Sequence, residues 1–171
     1  MTTSFNGFDK APAKEGRDYM TMATRRMEQA SGKTFADLKT SHVNDYKRLF
    51  DRVSLDLGAT DKSISSLTTD RQLRLYTDEK QANPELEALY FQYGRYLLIS
   101  CSRTSGVPAN LQGLWNEKLL PPWSCNYTTN INTEMNYWPT MSANLAECVE
   151  PLLDMLRDLR HSGSVIARNF Y

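Results

Sequence analysis

The sequence is poor in cysteine and histidine, carries no net charge and has no long apolar run. Its three cysteines, Cys101, Cys125 and Cys148, are odd in number and widely spaced, which argues against a disulfide framework. No CxxC and no Cys/His pair has zinc-ligand spacing, so the expected state is three buried or half-buried free thiols. The only histidines, His42 and His161, sit in no motif, which disfavours a Cys/His nucleophile pair. Twenty basic and 20 acidic residues cancel, so nothing suggests electrostatic capture of nucleic acid or anionic lipid. No apolar run reaches the ~20 residues that span a bilayer. The start, Met1 to Asn6, has no basic region followed by an apolar one, so no signal peptide is read there. No internal repeat or low-complexity tract is present.

What is present suits a packed core. The chain has 171 residues, 40% hydrophobic and 11% aromatic, enough for one domain or one domain with an extra arm. Thr2 to Phe8 alternates weakly and reads as the last strand of a preceding domain. Lys14 to Ala30 reads as a helix that Gly32 ends. Thr34 with Asp37 forms a variant capping box, followed by Phe35, Leu38, His42, Tyr46, Leu49 and Val53 at helical spacing. Ser54 to Leu57 reads as a short extended piece, Gly58 to Ser66 as a loop, and Thr69 to Thr77 as a helix.

The clearest helix starts at Asn83-Pro84, an N-cap followed by proline in the first turn. Glu85 and Glu87 suit the positive end of its dipole, and Leu86, Leu89, Tyr90, Tyr93 and Leu97 form the expected apolar stripe over roughly 18 residues. Asn144 with Glu147 is a second capping-box pattern, and Leu145, Cys148, Leu152, Leu156 and Leu159 share a face. Pro151 predicts a kink or a restart at Glu150. Gly163 reads as a helix end, with Ser164 to Tyr171 starting another helix. Long helices with little strand signal favour an all-α architecture.

The stretch from Pro108 to Pro139 differs from its surroundings. It holds all three tryptophans, Trp115, Trp123 and Trp138, and six asparagines: Asn110, Asn116, Asn126, Asn130, Asn132 and Asn136. Only Glu117, Lys118 and Glu134 are charged. A neutral polyhydroxylated ligand needs this composition. Apolar C–H faces of a sugar stack on indoles, and a carboxamide both donates to and accepts from hydroxyls. The plain alternative is that the tryptophans are core and the asparagines cap turns. If the stretch is extended, Asn130, Asn132 and Glu134 share a face; if helical, Asn132 and Asn136 are neighbours. Glu134 is the nearby carboxylate, read either as a general acid or, preferably, as a structural acceptor. The glycosylation triplet Asn126-Tyr127-Thr128 is discounted in so aromatic a segment.

Several strings together resemble glycoside hydrolase family 95. They are Thr3 to Phe8; His42 with Asp45-Tyr46 and Leu49-Phe50; Arg52 to Gly58; and Leu89 to Arg103. The most specific are Pro-Ala-Asn-Leu-Gln-Gly-Leu-Trp-Asn at 108–116 and Asn-Ile-Asn-Thr-Glu-Met-Asn-Tyr-Trp-Pro at 130–139. The resemblance spans essentially the whole chain.

It implies inverting hydrolysis of terminal α-linked L-fucose, especially α-1,2 links in glycans, with some members preferring α-L-galactose. It implies no metal and no cofactor, a fucosylated oligosaccharide or glycan as partner, and a secreted or periplasmic setting. It also implies a mainly α fold: a partial (α/α)6 barrel preceded by linker helices. On that layout residues 1–10 are the tail of a β-domain, 11–66 a helical linker and 67–171 the start of the catalytic domain. In the family, an asparagine of the Asn-Ile-Asn motif positions the attacking water. That makes Asn132 and Asn130 the candidate catalytic amides, with the water on Asn132. Trp115, Asn110, Gln112, Trp123, Asn136 and Trp138 are the candidate substrate contacts. An amide alone is a weak base, so the step needs a partner; the resemblance implies that an aspartate supplies it and that a separate glutamate acts as the acid. Both are expected beyond Tyr171, so this stretch alone is expected to be inactive; the alternative reading is a sugar-binding helical module without catalysis. Some relatives carry histidine where Thr128 stands.

Overall fold

The local start signals read from the sequence recur in a computed structural model, which describes residues 18–103 and 107–170. The predicted strand at Thr2 to Phe8 lies outside the described residues. Asp18 opens helix α1 (Tyr19–Ser31), accepting a hydrogen bond from the Thr21 backbone N–H at 3.0 Å, and Gly32 caps its end. The Thr34 box precedes α2 (Phe35–Phe50). The Asp37 N–H donates to Thr34 Oγ1, while the Thr34 N–H and hydroxyl donate to the Asp37 carboxylate. Val53, expected on the same stripe, falls beyond the helix.

Residues 53–61 have no regular structure, and the segment expected to be wholly loop contains a short helix, α3 (Lys62–Ser65). The Asp61 carboxylate starts it by accepting from the N–H and hydroxyl of Ser63, at 2.8 and 2.6 Å. A turn so short carries no periodicity, so composition concealed it. Next come α4 (Thr69–Asp78) and α5 (Pro84–Cys101). Among the described residues no strand occurs, and no helix is long and apolar enough to cross a membrane.

The chain divides into two compact units, Met1–Lys47 with Leu152–Tyr171, and Arg48–Pro151. The first contains α1, most of α2 and most of α8 (Glu150–Phe170), and none of its described residues is buried. α8 restarts at Glu150, as Pro151 predicted, because proline in a first turn removes an N–H that has no partner there. Gly163 does not end the helix; α8 runs through it to Phe170. A helical glycine costs about 1 kcal/mol, less than stopping and nucleating again.

The second unit holds the core: Leu49, Leu98, Ile99, Ala109, Tyr137, Ala143, Leu145 and Cys148 are buried. The stripe expected on α5 is not the face that packs inward. Leu89, Tyr90 and Tyr93 are exposed, and the buried face carries Arg95, Leu98, Ile99 and Cys101. Apolar residues surround most of α5, so pattern alone did not select a face. Arg95 is only 3% exposed. It donates to the carbonyls of Leu49 (2.9 Å), Phe50 (2.8 Å) and Ala143 (3.2 Å), and to Gln92 Oε1 (2.8 Å). Two of these carbonyls belong to the last turn of α2, where helix geometry leaves acceptors unpaired and negative.

The α5 cap is itself buried. Asn83 Oδ1 accepts from the Leu86 N–H and the Thr60 hydroxyl, and its amide donates to Gln72 of α4. Asn144 and Glu147 form no capping box. Asn144 adopts a left-handed turn with φ of 54°, and Glu147 makes a two-pronged pair with Arg52 at 2.8 and 3.0 Å. That pair holds the Glu147 carboxyl below its ordinary pKa.

Candidate active site

Two loops and a short helix carry the Trp/Asn segment. α6 (Asn132–Tyr137) and α7 (Pro139–Ser142) follow one another, with Trp138 between them. The helical alternative therefore holds for 132–137. Asn132 and Asn136 lie one turn apart on the same side, and Glu134, two residues on from Asn132, faces elsewhere. Two buried residues anchor α6, Thr133 and Tyr137.

Tyr137 is the hub of a closed hydrogen-bond chain. The Ala109 N–H donates to its oxygen at 2.8 Å, and the phenol lies 2.8 Å from Ser102 Oγ, which donates to the Cys148 carbonyl at 2.8 Å. With the Ser102 proton committed to that carbonyl, Tyr137 must donate to Ser102. Burial pushes the phenol pKa up, so the proton stays in place.

Asn136 then ties α6 to the Pro-Ala-Asn loop, its amide donating to the carbonyls of Asn110 at 3.2 Å and Ala109 at 3.5 Å. Asn110 holds that loop closed. Its Oδ1 accepts from the Gln112 N–H at 2.8 Å and from the Cys125 thiol at 2.9 Å, and its backbone exchanges hydrogen bonds with Gly113. Gly113 has φ of +66°, and a Cβ there would lie 2.6 Å from Trp115, so only glycine admits the indole. Asn116 closes a small turn onto Lys118, and Asn126 accepts from the Thr128 hydroxyl.

Four of the six asparagines thus serve local structure. The other two are Asn130 and Asn132. Both are exposed, and neither carboxamide has a hydrogen-bond partner among the described residues. The tryptophans are not core: Trp115, Trp123 and Trp138 are 50%, 83% and 62% exposed. Trp123 opens three successive residues in left-handed conformation, Trp123 to Cys125, with φ of 54°, 55° and 49°. The Glu134 carboxylate is exposed and accepts no amide or indole N–H among the described residues, so the structural-acceptor expectation for it is not met.

Gln112, Leu114, Trp115, Asn116, Glu117 and Lys118 line an open hollow of ≈ 560 Å³. Gln112 Oε1 is buried without a partner. Asn130 and Asn132 are not part of that lining. No group of three or more metal-ligating side chains occurs among the described residues. Sequence reasoning missed Tyr137 and Ser102, which look like ordinary core residues; their hydroxyl pairing appears only in three dimensions.

The sequence model of the glycosyl hydrolase family 95 catalytic domain matches residues 34–171. The chain belongs to glycoside hydrolase family 95. It is 37% identical to alpha-L-fucosidase 2 of Arabidopsis thaliana over 99% of this chain and 20% of that protein. It is 38% identical to a probable alpha-fucosidase A of Aspergillus niger over 86% of the chain and 18% of the relative. A probable alpha-fucosidase A of Aspergillus oryzae is 32% identical over 85% and 21%. The chain thus spans about a fifth of the length of these curated relatives. Its mainly helical make-up agrees with the expected partial (α/α)6 barrel of this glycosidase family.

Proposed function

We propose that this chain contributes one wall of the active site of an inverting α-L-fucosidase acting on terminal, α-1,2-linked fucose in glycans. One observation carries the reading. Of six asparagines in an aromatic segment, only Asn130 and Asn132 have exposed carboxamides without a local partner. An unpaired, preplaced amide binds a water molecule or a hydroxyl without first breaking an internal bond.

In this proposal Asn132 holds the nucleophilic water through its Oδ1, and Asn130 beside it helps fix the water or a sugar hydroxyl. The indoles of Trp115, Trp123 and Trp138 offer faces for sugar C–H groups. Asn110 and Asn136, also candidate contacts, act here by holding the Pro-Ala-Asn loop against α6. Gln112 keeps one buried acceptor for a donor not present. Proton transfer in this proposal needs carboxylates in addition to Asn132, because a neutral amide cannot raise the nucleophilicity of water by itself.

The test is fucose release by the longer protein carrying this chain, from an α-1,2-fucosylated oligosaccharide, with the anomer formed followed by NMR. We expect β-L-fucose as first product, and a kcat lower by about two orders of magnitude or more for Asn132→Ala, at unchanged melting temperature. Wild-type turnover by Asn132→Ala would remove the assignment. Retention of configuration would remove the inverting mechanism.

A further inference from the structure

Ile131, between the two amides, has φ of 70° and ψ of −47°. The Asn132 N–H donates to the Asn130 carbonyl at 3.0 Å. Together these define a positive-φ γ-turn, a rare and strained three-residue reversal. A β-branched residue is among the worst suited to positive φ. The side chain is 45% exposed, so full burial is not what retains it. The surroundings hold the turn from both sides. The Met135 N–H donates to the Ile131 carbonyl at 2.7 Å, the Thr133 N–H to the Thr128 carbonyl at 3.2 Å, and the Thr133 hydroxyl to the Tyr127 carbonyl. Thr133 and Tyr137 anchor the following helix in the core.

We propose that Ile131 is a positioning residue whose left-handed backbone directs the Asn130 and Asn132 carboxamides to one reaction centre. The proposal rests on the amide reading above and deepens it. An extended Asn-Ile-Asn would hold its flanking residues roughly 7 Å apart along a straight path. A helical one would turn them to different sides. The reversal does neither: it draws residues 130 and 132 together at the start of α6. Strain of this kind persists where neighbouring structure over-determines it, and it preorganises functional groups. The function of position 131 is therefore a backbone angle, not a side chain.

Three variants of the longer protein separate angle from side chain, with Asn132→Ala as reference. Glycine and asparagine both accept positive φ, so Ile131→Gly and Ile131→Asn should keep kcat and KM within about threefold. Ile131→Pro fixes φ near −65°; its missing N–H removes no bond here, since the Ile131 N–H donates to nothing among the described residues. It should lower kcat about a hundredfold or more with KM within about threefold. If glycine and asparagine both lose more than about tenfold in kcat while remaining folded by circular dichroism, the side chain matters and the proposal fails. That comparison decides even if the proline variant does not fold. A folded, fully active proline variant beside an inactive Asn132→Ala overturns the positioning role alone. A fully active Asn132→Ala removes the amide reading and this proposal with it.

Discussion

Arg95→Met tests how the second unit is held together. Methionine keeps the aliphatic length but removes the guanidinium. The carbonyls of Leu49, Phe50 and Ala143 and the Gln92 oxygen are then deprived of a charged donor at 2.8 to 3.2 Å. The guanidinium also stands 5.5 Å from the centre of the Phe50 ring, and its attraction to the ring face disappears as well. A hydrogen bond from a charged donor contributes about 1.5–3 kcal/mol, but four at one group are not additive, and methionine recovers some apolar burial. The net expectation is a destabilisation of about 3–5 kcal/mol, a large share of the ~5–15 kcal/mol that stabilises a typical domain. Arg95→Lys should destabilise by about 2 kcal/mol, because one ammonium cannot reach the α2 carbonyls and that of Ala143 at once. Urea unfolding followed by tryptophan fluorescence measures this, since every indole lies between residues 115 and 138. An unchanged midpoint for Arg95→Met, or full rescue by lysine, would show that the fork does not hold the end of α2 to α5.

Two further perturbations probe the site and the core. Gly113→Ala forces a Cβ to within 2.6 Å of Trp115 and keeps a positive φ, so it should cost about 1–3 kcal/mol and shift the emission of that indole; unchanged stability and emission would contradict the close approach. Burial, with Glu147 adding to it, pushes the Cys148 thiol up to about 11, and burial also raises Cys101. A thiol raised in the folded state leaves stability intact below its ordinary pKa and removes it as pH climbs toward the folded value. A loss of about 2–3 kcal/mol between pH 9 and 11 is expected for Cys148, checked by urea midpoints across that range. At pH 8 a thiol reagent should modify half-buried Cys125 first, with Cys101 and Cys148 reacting only on unfolding; rapid labelling of all three would refute their burial.

Signals confined to one turn of chain were legible in advance. Asp37 and Thr34 satisfy each other within four residues, Asn83 needs only the N–H of Leu86, and Pro151 can restart a helix wherever it stands. The two candidate amides, Asn130 and Asn132, were also singled out by sequence, though through a family motif. Composition ranked all six asparagines alike. Four of them separated from Asn130 and Asn132 only when their partners, chiefly backbone groups of the same loops, came within reach.

By itself, the sequence determined where most helices start, the balance of 20 basic against 20 acidic residues, and the short segment into which the indoles and most of the asparagines are gathered. Those properties depend on neighbours a few bonds away or on composition. The tertiary structure alone decided which side of α5 is inside, why a charged Arg95 belongs there, that Gly163 continues a helix, and that Ile131 takes a left-handed angle. Each of these sets a local penalty against interactions with groups beyond the reach of a local pattern. For Arg95, desolvation is offset by carbonyls some 45 positions away, a trade that no neighbouring residue records.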